Sequence, residues 1–244
     1  MAEKIGMTDG YDPAFDFRWI KWVSENKPAI LITKNPKILY EKITELNCDY
    51  NIIVHCTITG NGGSKIEPNV PDYKESLEYL YKFVDLLGNK RVVLRIDPIM
   101  PIAEYIQNAI TVYNEAKNKL QENMCRLRIS FYDNYPHTEK RLHDIGIDIK
   151  YKTFDIPLHI RKKVWRDMGQ PELCAEADMP SRPCLSEYDC EILGVEPAPT
   201  GNYQRNKCNC LANKYELLNI KQQCMHKCAY CFWKKDHSAS KKLF

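Results

Sequence analysis

The sequence has no long apolar run and little excess charge of either sign. Nowhere do about 18 uncharged apolar residues stand together, which argues against a membrane-spanning helix, and residues 1–10 have no apolar stretch of the kind found in signal peptides. The net charge of +3 is too small to predict a nucleic-acid partner by itself. Internal repeats and low-complexity tracts are also absent. We therefore expect a soluble, cytoplasmic protein.

Cysteine is the residue type that is present in unusual number. The 244 residues include 11 cysteines, and in a reducing cytosol thiols are metal ligands or core residues more often than disulfides. The composition, with 44% hydrophobic and 27% charged residues, is otherwise that of a globular protein. We expect a single domain over residues 1–244 that binds metal.

Short β-branched runs alternate with amphipathic stretches, a pattern that builds a parallel sheet covered by helices. The predicted strands are 29–33, 51–59, 91–97 and 126–132, with weaker candidates at 4–8, 151–154, 172–178 and 217–221. The predicted helices are 15–23, one that begins at Asn35 and Pro36, 72–87, 103–123 and 157–168. The expected fold is α/β, a partial (β/α) barrel of the TIM type, with a loop-rich Cys/Pro insertion at about 172–213 and a short basic tail at 232–244.

Polar residues fall on one parity of the predicted strands, the parity that points inward in a barrel. The side chains predicted to face the cavity are His55, Thr57, Thr59, Arg95, Asp97, Arg126, Arg128, Ser130, Cys174, Glu176 and Asp178. Charged groups inside a closed structure are costly unless they are paired or bound to a ligand. We expect a zwitterionic ligand at the carboxyl ends of the strands, where barrel active sites lie, near Thr33 and Lys34. The alternative is an internal salt-bridge network of structural value only.

Three cysteines late in the chain have the spacing of an iron–sulfur site. Cys224, Cys228 and Cys231 form a C-x3-C-x2-C motif, with Tyr230 directly before the last cysteine. Three thiolates can hold three corners of a 4Fe-4S cube and leave the fourth iron open to substrate. A structural zinc ion would need a fourth ligand, such as His226 or a distant cysteine. The spacing favours the cluster over zinc.

This motif resembles that of the radical SAM superfamily. The resemblance implies that the open iron binds the amino and carboxylate groups of S-adenosylmethionine. It further implies one-electron cleavage to methionine and a 5'-deoxyadenosyl radical, which removes a hydrogen atom from a substrate. An electron donor such as flavodoxin or ferredoxin is implied as a partner.

The rest of the chain is similar to the spore photoproduct lyase branch of that superfamily, in rotated order. The segments that carry this likeness are Thr8-Asp9-Gly10-Tyr11-Asp12-Pro13, Ile32-Thr33-Lys34-Asn35-Pro36, His55 to Thr59, Glu67-Pro68 and Asp97-Pro98-Ile99-Met100-Pro101. In that branch the cluster loop comes first, whereas here it comes last. We therefore expect a circularly permuted barrel in which the first and last strands are neighbours and one flank is incomplete.

The chain is also similar to an uncharacterised bacterial family of unknown function that carries radical-SAM-like cysteines at its C-terminus. The segments that carry this second likeness are Thr33-Lys34-Asn35-Pro36, Arg95-Ile96-Asp97-Pro98, Cys174-Ala175-Glu176, Gln204-Arg205, Cys208-Asn209-Cys210 and the final motif. The likeness covers nearly the whole chain. It departs at Phe232-Trp233, which follow the last cysteine.

The resemblance, together with position and parity, assigns roles to individual residues. Cys224, Cys228 and Cys231 would hold the cluster. The cofactor-binding candidates are Thr8, Asp9 and Gly10 for the methionine amino group, Arg95, Arg128 and Glu176 for carboxylate and ribose, and Thr33, Lys34, Thr57, Asp97 and Ser130 near the strand ends. The catalytic candidates are His55, Arg95 and Tyr132. A hydrogen-atom relay is open between Tyr132, Tyr135, Tyr203 and a cysteine.

Four further cysteines form a second possible metal set. They are Cys174, Cys184, Cys208 and Cys210, which would close a second iron–sulfur cluster or a zinc site and hold the insertion in place. Cys190 is a substitute for any of them. The alternative is that these thiols are free and buried, as is expected of Cys48, Cys56 and Cys125.

The leading functional hypothesis is a radical SAM enzyme with lyase or transferase-type chemistry. Nucleic acid is the first substrate candidate, held by the basic residues Arg161, Lys162, Lys163, Arg166, Lys234, Lys235, Lys241 and Lys242, although these also fit a solvated surface. A peptide or a small metabolite stays open as substrate, and the oligomeric state is not predicted. The alternatives are a zinc-stabilised binding module and a non-catalytic iron–sulfur redox protein.

Overall fold

Seven parallel strands form one curled sheet, a half-barrel in a mixed α/β fold. The structure is a computed structural model that describes residues 3–46, 48–176, 178–201, 207–219 and 224–233. The strands are β1 (Ile5–Met7), β2 (Ala29–Thr33), β3 (Ile52–Thr57), β4 (Val92–Ile99), β5 (Arg126–Phe131), β6 (Glu172–Leu173) and β7 (Lys214–Glu216). Their order across the sheet is β6-β5-β4-β3-β2-β1-β7. The expectation of a partial α/β barrel is confirmed at this level.

Some of the helices begin at cap signals of the sequence. The helices are α1 (Trp19–Ser24), α2 (Pro36–Thr44), α3 (Tyr73–Leu87), α4 (Ala103–Leu120), α5 (Pro136–Asp144), α6 (Leu158–Asp167) and α7 (Glu187–Leu193). At the start of α2, the Asn35 side chain accepts a hydrogen bond from the Ile38 amide at 3.3 Å. The α3 helix begins after Asp72 and ends at Gly88, which has a φ of 81°. No helix in the described part of the chain is long and apolar enough to span a bilayer.

The last strand lies beside the first. The β7 strand pairs in parallel with β1, with Ile5 opposite Lys214 and Met7 opposite Glu216. The prediction of a strand at 217–221 was wrong in position, because the strand ends at Glu216. The Leu217 amide adds one more bond to the Met7 carbonyl at 2.8 Å, and residues 220–221 lie outside the described residues. The cysteine motif therefore follows a strand that is next to β1.

The two faces of the sheet carry the residues that strand parity predicts. On β3, Val54 and Cys56 belong to the core formed with the helices, whereas Ile53 belongs to a second core on the concave face. On β4, Leu94 faces the helices and Val93 the concave side. His55 and Arg95, which share the parity of Ile53 and Val93, therefore point into the half-barrel.

The interior of the half-barrel is filled by the segment between β6 and β7. This segment was predicted to be a loop, but it contains α7, which begins with a capping box of Ser186 and Asp189 and ends at Gly194 with a φ of 69°. Cys190 and Leu193 pack against the inward apolar residues of the strands. The insertion therefore acts as a plug that closes the lower part of the barrel.

Several other predicted elements differ from the structure. The 151–154 stretch is not a strand, since its residues are half-buried or exposed, and only Glu172–Leu173 of the predicted 172–178 strand pairs with β5. Phe15 precedes α1 in a turn, and Trp19 is buried, with its indole nitrogen donating to the Pro13 carbonyl at 2.9 Å. Trp19 thus contributes to the core between the sheet and the helices.

Candidate active site

A cavity of about 230 Å³ lies at the carboxyl ends of the strands. All seven predicted metal ligands line it: Cys174, Cys184, Cys208, Cys210, Cys224, Cys228 and Cys231. The other predicted site residues that line it are Thr8, Asp9, Gly10, Thr33, Lys34, Thr57, Arg95, Asp97 and Tyr132. The structure thus brings together side chains from both ends of the chain and from the plug.

The motif loop is held against the strand ends by backbone and side-chain hydrogen bonds. The Ala229 amide donates to the Ile66 carbonyl at 2.9 Å, and the Arg141 guanidinium donates to the Cys231 carbonyl. Cys228 is buried, which raises the pKa of its thiol, although the charge of Lys34 opposes this effect. Cys224 and Cys231 lie close enough to Cys228 to raise that pKa further. All three thiols of the motif line the cavity.

His226, inside the motif, is occupied by other partners. Its Nε2 lies 2.6 Å from an Asp12 carboxylate oxygen and its Nδ1 lies 3.2 Å from the Asn69 carbonyl oxygen. Both ring nitrogens face oxygens that only accept hydrogen bonds, so neither offers a lone pair to a metal. As the structure stands, His226 is not a fourth zinc ligand.

Asp12 joins the motif to two strand ends. Besides His226, its carboxylate accepts from the Thr33 hydroxyl at 2.7 Å, the Lys34 amide at 2.7 Å and the Ala14 amide at 2.9 Å. Burial alone would raise the pKa of Asp12, but His226 and the two amides outweigh it and hold the pKa below its usual value. The sequence resemblance included Asp12 without assigning it a role. A buried acid in a turn after a strand was the available signal.

Glu67 fixes the aromatic residue of the motif. Its carboxylate accepts from the Lys34 ammonium at 2.8 Å, from the Thr59 hydroxyl at 2.5 Å and from the Tyr230 hydroxyl. Burial would raise the pKa of Glu67, but these partners hold it below its usual value. Lys34 also lies 5.4 Å from the centre of the Tyr230 ring. Two of the predicted site positions, Lys34 and the motif, therefore share one buried carboxylate that sequence reasoning did not select.

Asp9 and Glu216 form a carboxyl pair between β1 and β7. The Lys214 ammonium donates to Asp9, and the Gly10 amide donates to Glu216 at 3.1 Å. Burial and the neighbouring Asp9 raise the pKa of Glu216 to about 9. Burial opposes ionisation of Asp9 too, but the Glu216 hydroxyl and Lys214 hold its pKa below the usual value. Burial and mutual repulsion thus act against ionisation of both groups at once, with Glu216 the one whose pKa is raised.

Arg95 and Asp97 pair with each other on the cavity wall. The Ser130 hydroxyl also donates to Asp97, so Ser130 lies behind the wall and does not line the cavity. The buried Nε of Arg95 has no hydrogen-bond partner in the structure. An unsatisfied buried donor at a cavity wall is a feature that a polar ligand would satisfy.

Three other predicted residues do not line the cavity. Arg128 donates to Glu172 at 2.5 Å and to the Cys184 carbonyl at 3.2 Å, and Glu176 pairs with Arg161 at 3.0 Å. Burial raises the pKa of Glu176 to about 7 despite this pair. For Arg128 and Glu176 the contacts fit the internal salt-bridge alternative better than ligand binding.

His55 is the third of these residues. It is fully buried below the cavity, and neither ring nitrogen has a hydrogen-bond partner. Burial and the nearby Arg128 lower its pKa well below the usual value, so the ring is neutral at physiological pH. A neutral, buried imidazole without substrate access does not fit the predicted catalytic role as the structure stands.

Aromatic side chains form the wall next to Cys231. The Tyr135 and Phe232 rings stack with centroids 5.6 Å apart, and Phe232 lies 4.4 Å from Trp233. Tyr132 lines the cavity with its ring, while its hydroxyl lies 2.6 Å from the Thr138 hydroxyl and is thus turned away. Tyr203, the third relay candidate, lies outside the described residues.

The second cysteine set is gathered on the plug side of the cavity. The Cys174 and Cys184 sulfurs lie 3.1 Å apart, and the Cys210 thiol hydrogen-bonds with those of Cys184 and Cys208. Within the described residues, no group of three or more His, Cys, Asp or Glu side chains is arranged as it stands to hold a single metal ion. A cluster with several iron atoms separates its thiolates more widely than one ion does, so both cysteine sets would have to adjust on loading.

The basic patch expected on α6 is smaller than predicted. Arg161 is buried and paired with Glu176, which leaves Lys163 and Arg166 as its exposed cations. The lysines at 234–242 lie outside the described residues, as do Gln204 and Arg205. With the half-buried Lys162, three of the four predicted cations of α6 still reach solvent.

Comparisons with known proteins agree with one of the two sequence resemblances. A family model described as a domain of unknown function, DUF1848, matches residues 20–233. No curated protein and no solved structure matches the chain significantly. The match supports the likeness to an uncharacterised family and covers the site from β2 to the cysteine motif.

Proposed function

The chain belongs to the DUF1848 family, whose description states no function, and from the site itself we propose that this member is a radical SAM enzyme. It would bind a 4Fe-4S cluster on Cys224, Cys228 and Cys231 and cleave S-adenosylmethionine. The observation that carries the proposal is that all three thiols of the motif line the same cavity at the strand ends. With His226 occupied by Asp12 and Asn69, the motif supplies three ligands and no fourth.

The donor set fits an iron–sulfur cluster better than a zinc ion. Zinc in structural sites takes four ligands, while three thiolates leave one iron of a four-iron cube open. When bound, such a cluster would pass one electron to the sulfonium and break its bond to C5', giving methionine and a 5'-deoxyadenosyl radical. A reduced flavodoxin or ferredoxin would supply that electron.

The position of β7 supports the rotated likeness to the spore photoproduct lyase branch. In a circularly permuted barrel, the strand that precedes the cluster motif stands last in the chain. It would still have to pair with the strand that follows it around the barrel, which then stands first in the chain. Here β7 pairs with β1, and the motif follows β7. We infer that the half-barrel is a circularly permuted (β/α) barrel of the TIM type.

Residues of the chain would orient the cysteine motif and bind S-adenosylmethionine. Asp12 and Glu67 orient the motif through His226 and Tyr230, so the three thiolates keep a fixed direction. The charged Asp9 and the turn at Gly10 lie on the wall where an amino group would be received. Arg95, with its unsatisfied Nε, is the cation available to a carboxylate on that wall. The aromatic wall of Tyr135, Phe232 and Trp233 follows Cys231 and would exclude water from that end of the cavity.

Product analysis after anaerobic reconstitution tests the proposal. With iron, sulfide, a low-potential reductant and S-adenosylmethionine, the chain should release 5'-deoxyadenosine, which chromatography detects. Cys228→Ala should abolish the product. Cys125→Ala is the matched control, because Cys125 is also a buried cysteine but lies in the core with the helices, and it should leave the product unchanged.

The two alternative functions give different results in the same experiment. Zinc in place of iron after oxygen-free purification, held at the motif and lost in Cys228→Ala, would contradict the proposal and favour a zinc-stabilised binding module. An intact cluster with no 5'-deoxyadenosine would leave an iron–sulfur protein that only transfers electrons or senses redox state. If 5'-deoxyadenosine is released, deuterium-labelled nucleic acids, peptides and metabolites can be compared as substrates by the transfer of deuterium into that product.

A further inference from the structure

We propose that Cys174, Cys184, Cys208 and Cys210 form a second metal centre, a four-thiolate site on the plug side of the same cavity. The site would hold a thiophilic metal, either one zinc ion or an iron–sulfur cluster. It does not depend on the proposed reaction, because its ligands are separate from the motif cysteines. It lies in the segment that sequence reasoning expected to be loop.

The four sulfurs already form a continuous chain of contacts. Cys174 and Cys184 are 3.1 Å apart at sulfur, Cys184 contacts Cys210, and Cys210 contacts Cys208. In a tetrahedral zinc site with bonds of about 2.3 Å, sulfurs stand about 3.8 Å apart, so a small outward movement would make room for a metal. Four thiols gathered from three separate places in the sequence do not meet by chance packing of one helix or loop.

The surroundings of the four sulfurs are cationic. Arg95 and Arg128 act electrostatically on Cys184, and Lys214 acts on Cys208. Four thiolates around a divalent ion, or around an oxidised four-iron cluster, carry a net charge of about −2, which buried cations would balance. Arg95, Arg128 and Lys214 also pair with Asp97, Glu172 and Asp9, so a metal–thiolate group would share these cations with the carboxylates.

The position of the ligands gives the site a structural purpose. Cys174 follows β6, Cys184 precedes α7, and Cys208 and Cys210 precede β7. One metal would therefore tie both ends of the plug to the strand edge and fix the floor of the cavity. Leu185 and Leu193 already pack the middle of the plug against the concave face, and the metal would add a fixed link at its two ends.

A neighbouring cysteine shows what a thiol without this role looks like. Cys190 is buried in the same plug, but its sulfur lies 4.0 Å from the Asn213 side-chain oxygen, outside the chain of four. Burial raises the pKa of Cys190 to about 11. Cys190 is therefore a matched control for the four ligands.

The test uses the full chain with the motif removed, Cys224→Ala/Cys228→Ala/Cys231→Ala, so that only the second site is left to bind metal. Anaerobically purified protein would be assayed for zinc, iron and acid-labile sulfide, and then titrated with cobalt(II) as a probe. We expect one equivalent of zinc, or iron with sulfide, and the visible bands of a tetrahedral cobalt–thiolate complex. Adding Cys184→Ser should lower the bound metal at least tenfold, while adding Cys190→Ala should leave it unchanged.

The outcomes separate this proposal from the proposed function. Zinc or iron–sulfide in the triple variant supports the site and identifies its metal, whether or not the wild-type chain makes 5'-deoxyadenosine. A triple variant that binds no zinc, iron or cobalt under any of these conditions overturns it. If Cys184→Ser aggregates, Cys208→Ser tests the same loss at a half-buried ligand, and retention of full metal there would equally contradict the four-thiolate site.

Discussion

The plug inside the half-barrel makes a sharp prediction about Asp189. This carboxylate is fully buried, accepts from Arg126 at 2.7 Å and from the Ser186 hydroxyl at 2.6 Å, and lies 3.9 Å from Arg128. It thus joins the first turn of α7 to two inward arginines of β5. We expect Asp189→Asn to destabilise the protein strongly, because two buried cations lose a charged partner.

The size of the expected stability loss depends on the ion pairs that Asp189→Asn leaves in place. Removing one partner of a buried ion pair costs about 3–5 kcal/mol. Glu172 still faces Arg126 and Arg128, which places the expected loss near the lower end, at about 3 kcal/mol. The cap alone contributes less, since Ser186→Ala should cost about 1 kcal/mol. For a chain of this size, a loss of about 3 kcal/mol lowers the melting temperature by roughly 6–12 °C.

Urea unfolding of the three proteins at equal metal content measures these differences. Glu187→Gln is the control, because Glu187 lies in the same helical turn but is exposed, and its change should stay within about 0.5 kcal/mol. A loss below about 1 kcal/mol for Asp189→Asn, with an unchanged slope, would mean that α7 does not form the buried contact described here.

Two further predictions concern cysteine chemistry and backbone space. In the folded protein at pH 8, Cys56 and Cys125 should resist alkylation by iodoacetamide while the half-buried Cys48 reacts. The reason is that burial raises the pKa of both core thiols, that of Cys125 to about 12. Peptide mass mapping would show the order of labelling, and equal labelling of the three cysteines would contradict the prediction. Gly62→Ala should destabilise by about 3 kcal/mol or more, because the added Cβ would lie 1.8 Å from the Pro71 carbonyl oxygen. Gly63 has a φ of 75° and open space around it, so Gly63→Ala should cost only about 1–2 kcal/mol. Thermal melts of the two variants measure the difference, and similar losses would refute the close approach of Gly62 to Pro71.

The sheet could be predicted from the sequence because its strands are long enough to show their period. Alternation over 52–57 placed His55 inward and Cys56 outward, and the structure agrees. Three-residue strands such as β7 have too few residues to show alternation, and the apolar residues that follow β7 resemble a strand more strongly. Short strands are set by their neighbours, here β1, rather than by their own sequence.

The interior of the half-barrel could not be predicted in the same way. The α7 helix has seven residues, too few for a clear helical period, although Ser186, Asp189 and Gly194 are recognisable start and stop signals. That this helix enters the barrel depends on the shape of the concave face, which no local pattern records. The same holds for Arg128, whose parity was predicted correctly but whose partners lie in β6 and the plug. Glu176 lies past the end of β6 and pairs with Arg161 of α6.

The pairing of β7 with β1 also sets an order of events during synthesis. The ribosome releases β1 long before β7, so a nascent chain presents the outer backbone edge of β1 without its neighbour until nearly all of the other strands have emerged. An uncovered strand edge invites pairing with other chains. Cys224, Cys228 and Cys231 follow β7 in the sequence, so the cysteines of the cavity can come together only after that strand has been made.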